Sequence, residues 1–208
     1  MEAVWRRFLT VGVCVMADAL TTPEVERVLV ERLRRGDRGA FNPLFERYRE
    51  RLFWVAFHML RNEQDALDAV QETFVRVLRA IERFDTSRRF YTWACQILIN
   101  YCVDRLRRRS SSRENVSLED VAAPDAGSGF DPEEAVARQE ERRRVFDVLQ
   151  KLQPPYRTVI ILRELEGFSC KEIAEMTGTT HATVRWRLHR ARTMFREIWE
   201  KEYGGLYR

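Results

Sequence analysis

From Pro23 to about Arg109, apolar residues recur at spacings of three and four, with few prolines or glycines between them. That is the period of helices that each bury one stripe. It predicts a first helix over residues 24–35, ending at Gly36, and a second from about 40 to 60 with Pro43 in its first turn. A third helix covers 63–84, and after the polar break Asp85, Thr86, Ser87 a fourth runs from 90 to about 108. Between Ser110 and about Pro132 the periodicity gives way to serine, glycine, alanine, proline and acids. From Arg113 to Glu134 seven acids stand against one base, so this stretch reads as a flexible acidic linker that does not bind DNA. Helical patterning resumes near Glu133 with Val145, Phe146, Val148, Leu149 and Leu152, stops at Pro154 and Pro155, and returns over about 156–165. The expected fold is all-α, with two small helical domains at residues 24–109 and 133–203 joined by a linker at 110–132.

The stretch from Ser169 to Arg196 reads as two short helices broken at Gly178. Ile173, Ala174 and Met176 supply the apolar positions of the first. Gly178 allows a left-handed turn, and Thr179 or Thr180 can cap the second. Laid out at about 100° per residue, the second helix places Val184, Leu188, Ala191, Phe195 and Ile198 on one stripe, the expected buried face. Arg185, Trp186, His189 and Arg190 fall opposite, Arg192 and Arg196 lie nearer the edge, and Arg187 is on the other flank. The unit resembles a helix-turn-helix. Long donors such as arginine read base edges while flanking charge holds phosphates, so the outward face is a candidate for duplex DNA. The bland alternative is a solvated basic face, although generic surface helices usually mix acids with bases.

Net charge is only +4 over 208 residues, so the basic character lies in clusters. Cys14, Cys95, Cys102 and Cys170 are too scattered for a disulfide framework and form no CxxC pair. Cys95 and Cys102 are expected to be small buried hydrophobes in a reduced cytosol, and the chain is expected to be cytoplasmic. His58, His181 and His189 make no ligand cluster with them, and no HExxH, GxSxG, P-loop or GxGxxG motif occurs. No metal, cofactor, small-molecule substrate or enzymatic activity is expected. Residues 1–23 form an extension in which two arginines precede an apolar run of about eight to nine residues, an imitation of a signal peptide too short to span a bilayer. A true start at Met16, or a short apolar helix packed on the core or on a partner, both fit it. The end at Arg208 predicts no built-in sensing domain.

Two further constellations lie in the first domain. Residues 65–78 place Asp65, Asp68, Gln71, Glu72 and Arg76 beside Val70, Phe74, Val75 and Leu78, so one face packs and the other is offered. Phe90, Tyr91, Trp93 and Tyr101 accompany Arg88, Arg89, Arg105, Arg107, Arg108 and Arg109, a mixture suited to unstacked bases on a charged track. Trp93 fits either the core or the strand, since helical tryptophans are usually partly buried.

Taken in order, these segments resemble the sigma factors of the sigma-70 family, and most closely their small extracytoplasmic-function (ECF) group. The family's DAEDLVQETF is matched by Asp65 to Phe74, DALDAVQETF, and FxTWLYRIAxN by Phe90 to Asn100, FYTWACQILIN. Its DxLRRR is matched by Asp104 to Arg109, and EIAExxGxxxGTVxSRLxRAR by Glu172 to Arg192. Three departures stand out: Leu67 where glutamate is frequent, Ala182 where glycine is usual, and Trp186 where serine is common.

The resemblance implies a protein that binds core RNA polymerase and directs it to promoters. Asp65, Asp68, Gln71, Glu72 and Phe74 would meet the clamp of the beta-prime subunit. Arg88, Arg89, Phe90, Tyr91, Trp93, Asn100, Arg105 and Arg108 would hold the melted minus-10 strand, with the loop 84–89 near a flipped base. Thr180, His181, Thr183, Arg185, Trp186, His189 and Arg190 would read the duplex minus-35 element, where Trp186 could touch a thymine methyl or a sugar edge. The acidic linker would thread through the polymerase in the place of RNA, and an anti-sigma factor is the expected regulator. Two other readings are a stand-alone dimeric helix-turn-helix regulator and a pure interaction module. The first needs neither the DALDAVQETF helix nor the aromatic-basic one; the second leaves Arg185 to Arg196 unexplained.

Overall fold

A computed structural model describes residues 23–112 and 132–204, which carry eight α-helices and no strand. Their contacts fall into two units, one within Asp18–Glu119 and one within Asp120–Arg208. The first unit contains α1 (Pro23–Arg34), a 3-10 turn (Arg38–Ala40), α2 (Phe41–Leu60), α3 (Glu63–Ala80), a second 3-10 turn (Ile81–Arg83) and α4 (Phe90–Ser112). Local chemistry sets the boundaries. Asp37 caps the first 3-10 turn by accepting the Gly39 N–H at 2.9 Å, and α2 closes on Arg61, left-handed at φ 60°. Asn62 then starts α3 by accepting the Asp65 N–H at 2.8 Å.

Helices α2, α3 and α4 pack on one another. Leu44, Leu52 and Met59 of α2 and Leu98 and Ile99 of α4 are fully buried, and the small Ala66 and Ala69 turn inward on α3. Cys95 and Cys102 are buried in the same core, as small apolar groups should be. Burial pushes the Cys102 thiol up to about 12, which keeps it protonated.

The third helix departs from expectation by ending at Ala80 and tightening into the 3-10 turn before Phe84. The fourth runs further than expected, through the serines at 110–112. Arg109 anchors that last stretch by pairing with Asp65 and by donating to the Leu60 carbonyl at 3.4 Å. The rest of the acidic linker and the N-terminal extension, residues 113–131 and 1–22, lie outside the described residues.

In the second unit, α5 (Pro132–Lys151) is followed by α6 (Pro154–Ile160), a π turn (Ile161–Leu165), α7 (Cys170–Thr177) and α8 (His181–Tyr203). Pro154 and Pro155 sit at the start of α6, where the missing N–H groups need no partner. The helix expected over 156–165 therefore begins two residues earlier and widens into a π turn. Val184, Leu188, Ala191 and Phe195 form the buried stripe of α8, as the wheel predicts. Its end is corrected: Ile198 is half-buried, and Trp199, four residues after Phe195, is buried and stacked on it at 5.9 Å.

Candidate nucleic-acid interface

The helix-turn-helix is assembled by its own side chains. Ser169 and Glu172 form a reciprocal capping box at the start of α7: the Ser169 hydroxyl accepts the Glu172 N–H at 3.2 Å, and the Glu172 carboxylate accepts the Ser169 N–H at 2.8 Å. Gly178 closes α7 at φ 61°, where a Cβ would be strained. Thr180, rather than Thr179, caps α8, accepting the Thr183 N–H at 3.1 Å and sharing a hydroxyl contact of 2.8 Å with the Thr183 side chain. Thr179 instead meets the Thr177 hydroxyl at 3.0 Å.

The cap aims the first turns of α8 outward. His181, Arg185, Trp186, His189 and Arg190 stand exposed together, with Trp186 61% exposed, and Thr183 is half-buried beside them. Arg192 turns away: its guanidinium donates to Glu164 at 3.0 Å, which ties α8 to the π turn. The wheel placed Arg192 at the edge of the outward face, and its acid partner is what takes it out of that face.

The first unit splits its candidates between surface and core. On α3, Asp68 and Glu72 are half-buried and Gln71 is exposed, with Glu72 paired to Arg76 at 2.7 Å. Phe74 is only 3% exposed, meeting the rings of Phe41 at 5.8 Å and Phe45 at 4.8 Å. Asp65, expected on the offered face, is 4% exposed and pairs with both Arg105 and Arg109 of α4. A buried carboxylate needs such partners. The packing face is also corrected: Val77 is buried, whereas Val75 and Leu78 are exposed at 39% and 42%, beside Leu67 at 41%. With Ala66, Ala69 and Thr73 inward, the wheel turns those three out.

At the start of α4, Phe90 and Tyr91 are buried rather than presented to a strand. Tyr48 lies 5.7 Å from Phe90 and 5.4 Å from Tyr91, and the Arg51 guanidinium covers the Tyr91 ring at 4.0 Å. Adjacent helix residues can both be buried here because α4 enters between α2 and the loop carrying Phe84, itself buried. Trp93 is half-buried, its ring tilted by 31° against Phe84 at 4.6 Å. Arg88, Arg89, Asn100 and Arg108 are exposed, while Arg105 is half-buried and donates to the Tyr101 hydroxyl at 3.1 Å. Before them, the Asp85 carboxylate accepts the Ser87 N–H at 2.9 Å, a bond that holds its pKa below the usual range.

No grouping of metal-ligating side chains occurs among the described residues, and none of their helices is long and apolar enough to cross a membrane.

The family model for sigma-70 region 2 matches residues 44–112, and that for sigma-70 region 4 matches residues 142–195. The ECF RNA polymerase sigma-E factor of Haemophilus influenzae is 36% identical over 86% of this chain and 95% of its own. Among solved structures, CnrH in complex with the cytosolic domain of CnrY is 28% identical with a TM-score of 0.61, covering 85% of this chain and 97% of that one. The sigma factor RpoE, solved with the anti-sigma factor NepR from Bartonella quintana, has the same TM-score at 21% identity, covering 78% of this chain and 98% of its own, and shows the fold alone. A stand-alone dimeric regulator is not favoured by any of these matches. The chain belongs to the ECF group of the sigma-70 family, and its function is that of an RNA polymerase sigma factor.

Proposed function

We propose a division of this activity among three surfaces. The outward side of α3 docks on the clamp of core polymerase through Asp68, Gln71 and Glu72, joined by the exposed apolar residues Leu67, Val75 and Leu78. An apolar stripe rimmed by acids suits a protein partner better than a nucleic acid. The loop 84–89 and α4 hold the melted minus-10 strand through Arg88, Arg89, Asn100 and Arg108, with the half-buried Trp93 offering its free edge. Phe90, Tyr91, Phe74 and the Asp65–Arg105 pair act behind these surfaces by fixing where α3 and α4 lie. The exposed face of α8 reads the minus-35 duplex, and Thr180 and Thr183 position its N-terminus, whose free N–H groups favour a phosphate.

The observation that carries this reading is the segregation on α8: Arg185, Trp186, His189 and Arg190 share the exposed face while Arg192 is held by Glu164. The protein is a transcription initiation factor with no catalytic role of its own, acts in the cytoplasm where polymerase is found, and is restrained by an anti-sigma factor. Similarity to CnrH, solved with a protein partner, supports that last point.

The test separates the surfaces in the full chain with core polymerase. Gln71→Ala with Leu78→Ala lowers affinity for core. Arg88→Ala with Arg89→Ala leaves core affinity unchanged but reduces permanganate reactivity of minus-10 thymines. Arg185→Ala with Arg190→Ala changes neither and weakens dependence on the minus-35 sequence. Unchanged minus-35 dependence in that last variant contradicts the assignment of α8.

A further inference from the structure

Of the large hydrophobic side chains exposed among the described residues, Trp186 is the most exposed, at 61%. It stands two residues from each of the buried Val184 and Leu188, about 200° round the helix from both. That places it at the apex of the outward face of α8, with Arg185, His189 and Arg190 around it. Ala182, one turn earlier on the same side, is exposed and adds only a methyl group beside the indole. Tyr156 of α6 supports Trp186 from within the same unit, ring centres 6.1 Å apart and tilted by 52°.

We infer that Trp186, steadied by Tyr156, is a specificity-determining residue that selects thymine in the minus-35 element by covering its 5-methyl group. The inference rests on the assignment of α8 to that element. An apex position meets base edges, whereas the flanks of a recognition helix meet sugar and phosphate. The chemistry of the ring then chooses the base. Indole is apolar except for one N–H donor and accepts no hydrogen bond. Cytosine and adenine present amino donors in the major groove that it cannot satisfy, and guanine presents two acceptors better met by arginine. Thymine alone offers an apolar methyl beside a single acceptor, O4. Arg185 and Arg190, reading neighbouring bases, bring the exposed ring into the groove, so the water shed from indole and methyl favours the contact.

The experiment uses core polymerase with the full-length chain and a promoter that this holoenzyme selects from a randomised library. Each minus-35 thymine is replaced by deoxyuridine, which removes only the methyl group, and initiation rates are compared. Wild type loses about fourfold at one or two positions, the effect of one buried methyl. 5-Methylcytosine in place of cytosine there recovers part of the loss relative to thymine. Trp186→Ala initiates equally on thymine and deoxyuridine and keeps its minus-10 dependence, and Tyr156→Ala shrinks the wild-type ratio toward one. A selected hexamer without thymine, equal rates on thymine and deoxyuridine in wild type, or a fourfold loss that persists in Trp186→Ala each overturns the inference. Complete indifference to a scrambled hexamer overturns the α8 assignment as well, which separates the two failures.

Discussion

The two units place their candidate binding residues in opposite ways. In the second, the core stripe of α8, Val184, Leu188, Ala191 and Phe195, is disjoint from its exposed face, so the helix folds with one set of side chains and presents another. In the first, segments that match the family's binding motifs also build the core: Asp65 and Phe74 lie inside α3, and Phe90 and Tyr91 lie inside α4. A long helix docked along one side can separate its two faces. Three helices packed around one another leave each only a narrow outward strip, and motif residues beside that strip are drawn inward. Substitutions in the first unit should therefore mix stability with binding, while those on α8 should not.

The sharpest way to break this contrast is to truncate a buried ring in the first unit. Phe90→Ala should cost about 3 to 5 kcal/mol of folding free energy by urea denaturation, whereas Trp186→Ala should stay within about 0.5 kcal/mol. Equal costs would erase the distinction. Asp65→Ala comes next, at about 2 kcal/mol, discounted because Arg105 and Arg109 keep side-chain exposures of 33% and 21%. Its folded fraction should bind core polymerase with wild-type affinity, and a loss of affinity without a loss of stability would return Asp65 to the polymerase surface. Arg185→Ala should leave Tm unchanged and relax selectivity at one base pair by about 1 to 3 kcal/mol, read as relative initiation on single-substitution promoters. The smallest effects belong to the frame of the helix-turn-helix. Ser169→Ala and Gly178→Ala should each lower stability by about 1 kcal/mol, through the lost cap and the left-handed backbone, measured by thermal melts.

The same contrast explains what could be read before the structure was known. Apolar period, prolines and caps located the start of every described helix to within about two residues, because those signals are local, while the ends of α3, α4 and α8 lie further from the expected positions. The α8 face was legible for the same reason, down to the outward set Arg185, Trp186, His189 and Arg190. Its failures had two sources: Glu164, 28 residues away in the chain, withdraws Arg192, and at the end of the stripe Trp199, one turn after Phe195, is buried in place of Ile198. In the first unit the apolar set expected to pack on α3 took in Val75 and Leu78 and left out Val77, which is equally apolar. The small inward residues Ala66, Ala69 and Thr73 were the available signal. The burial of Asp65 depends on arginines forty and more residues away, and no periodicity reports such a pair.

The central claim is that both units work together on one polymerase, and run-off transcription tests it most directly. Purified core polymerase with this chain, on the promoter its holoenzyme selects, should produce a single start absent without the chain. Arg185→Ala with Arg190→Ala should weaken that start only where the minus-35 element is intact, and Arg88→Ala with Arg89→Ala should weaken it by impairing strand opening. A chain that yields no dependent start from core polymerase, yet binds the same duplex tightly by itself, would contradict the account.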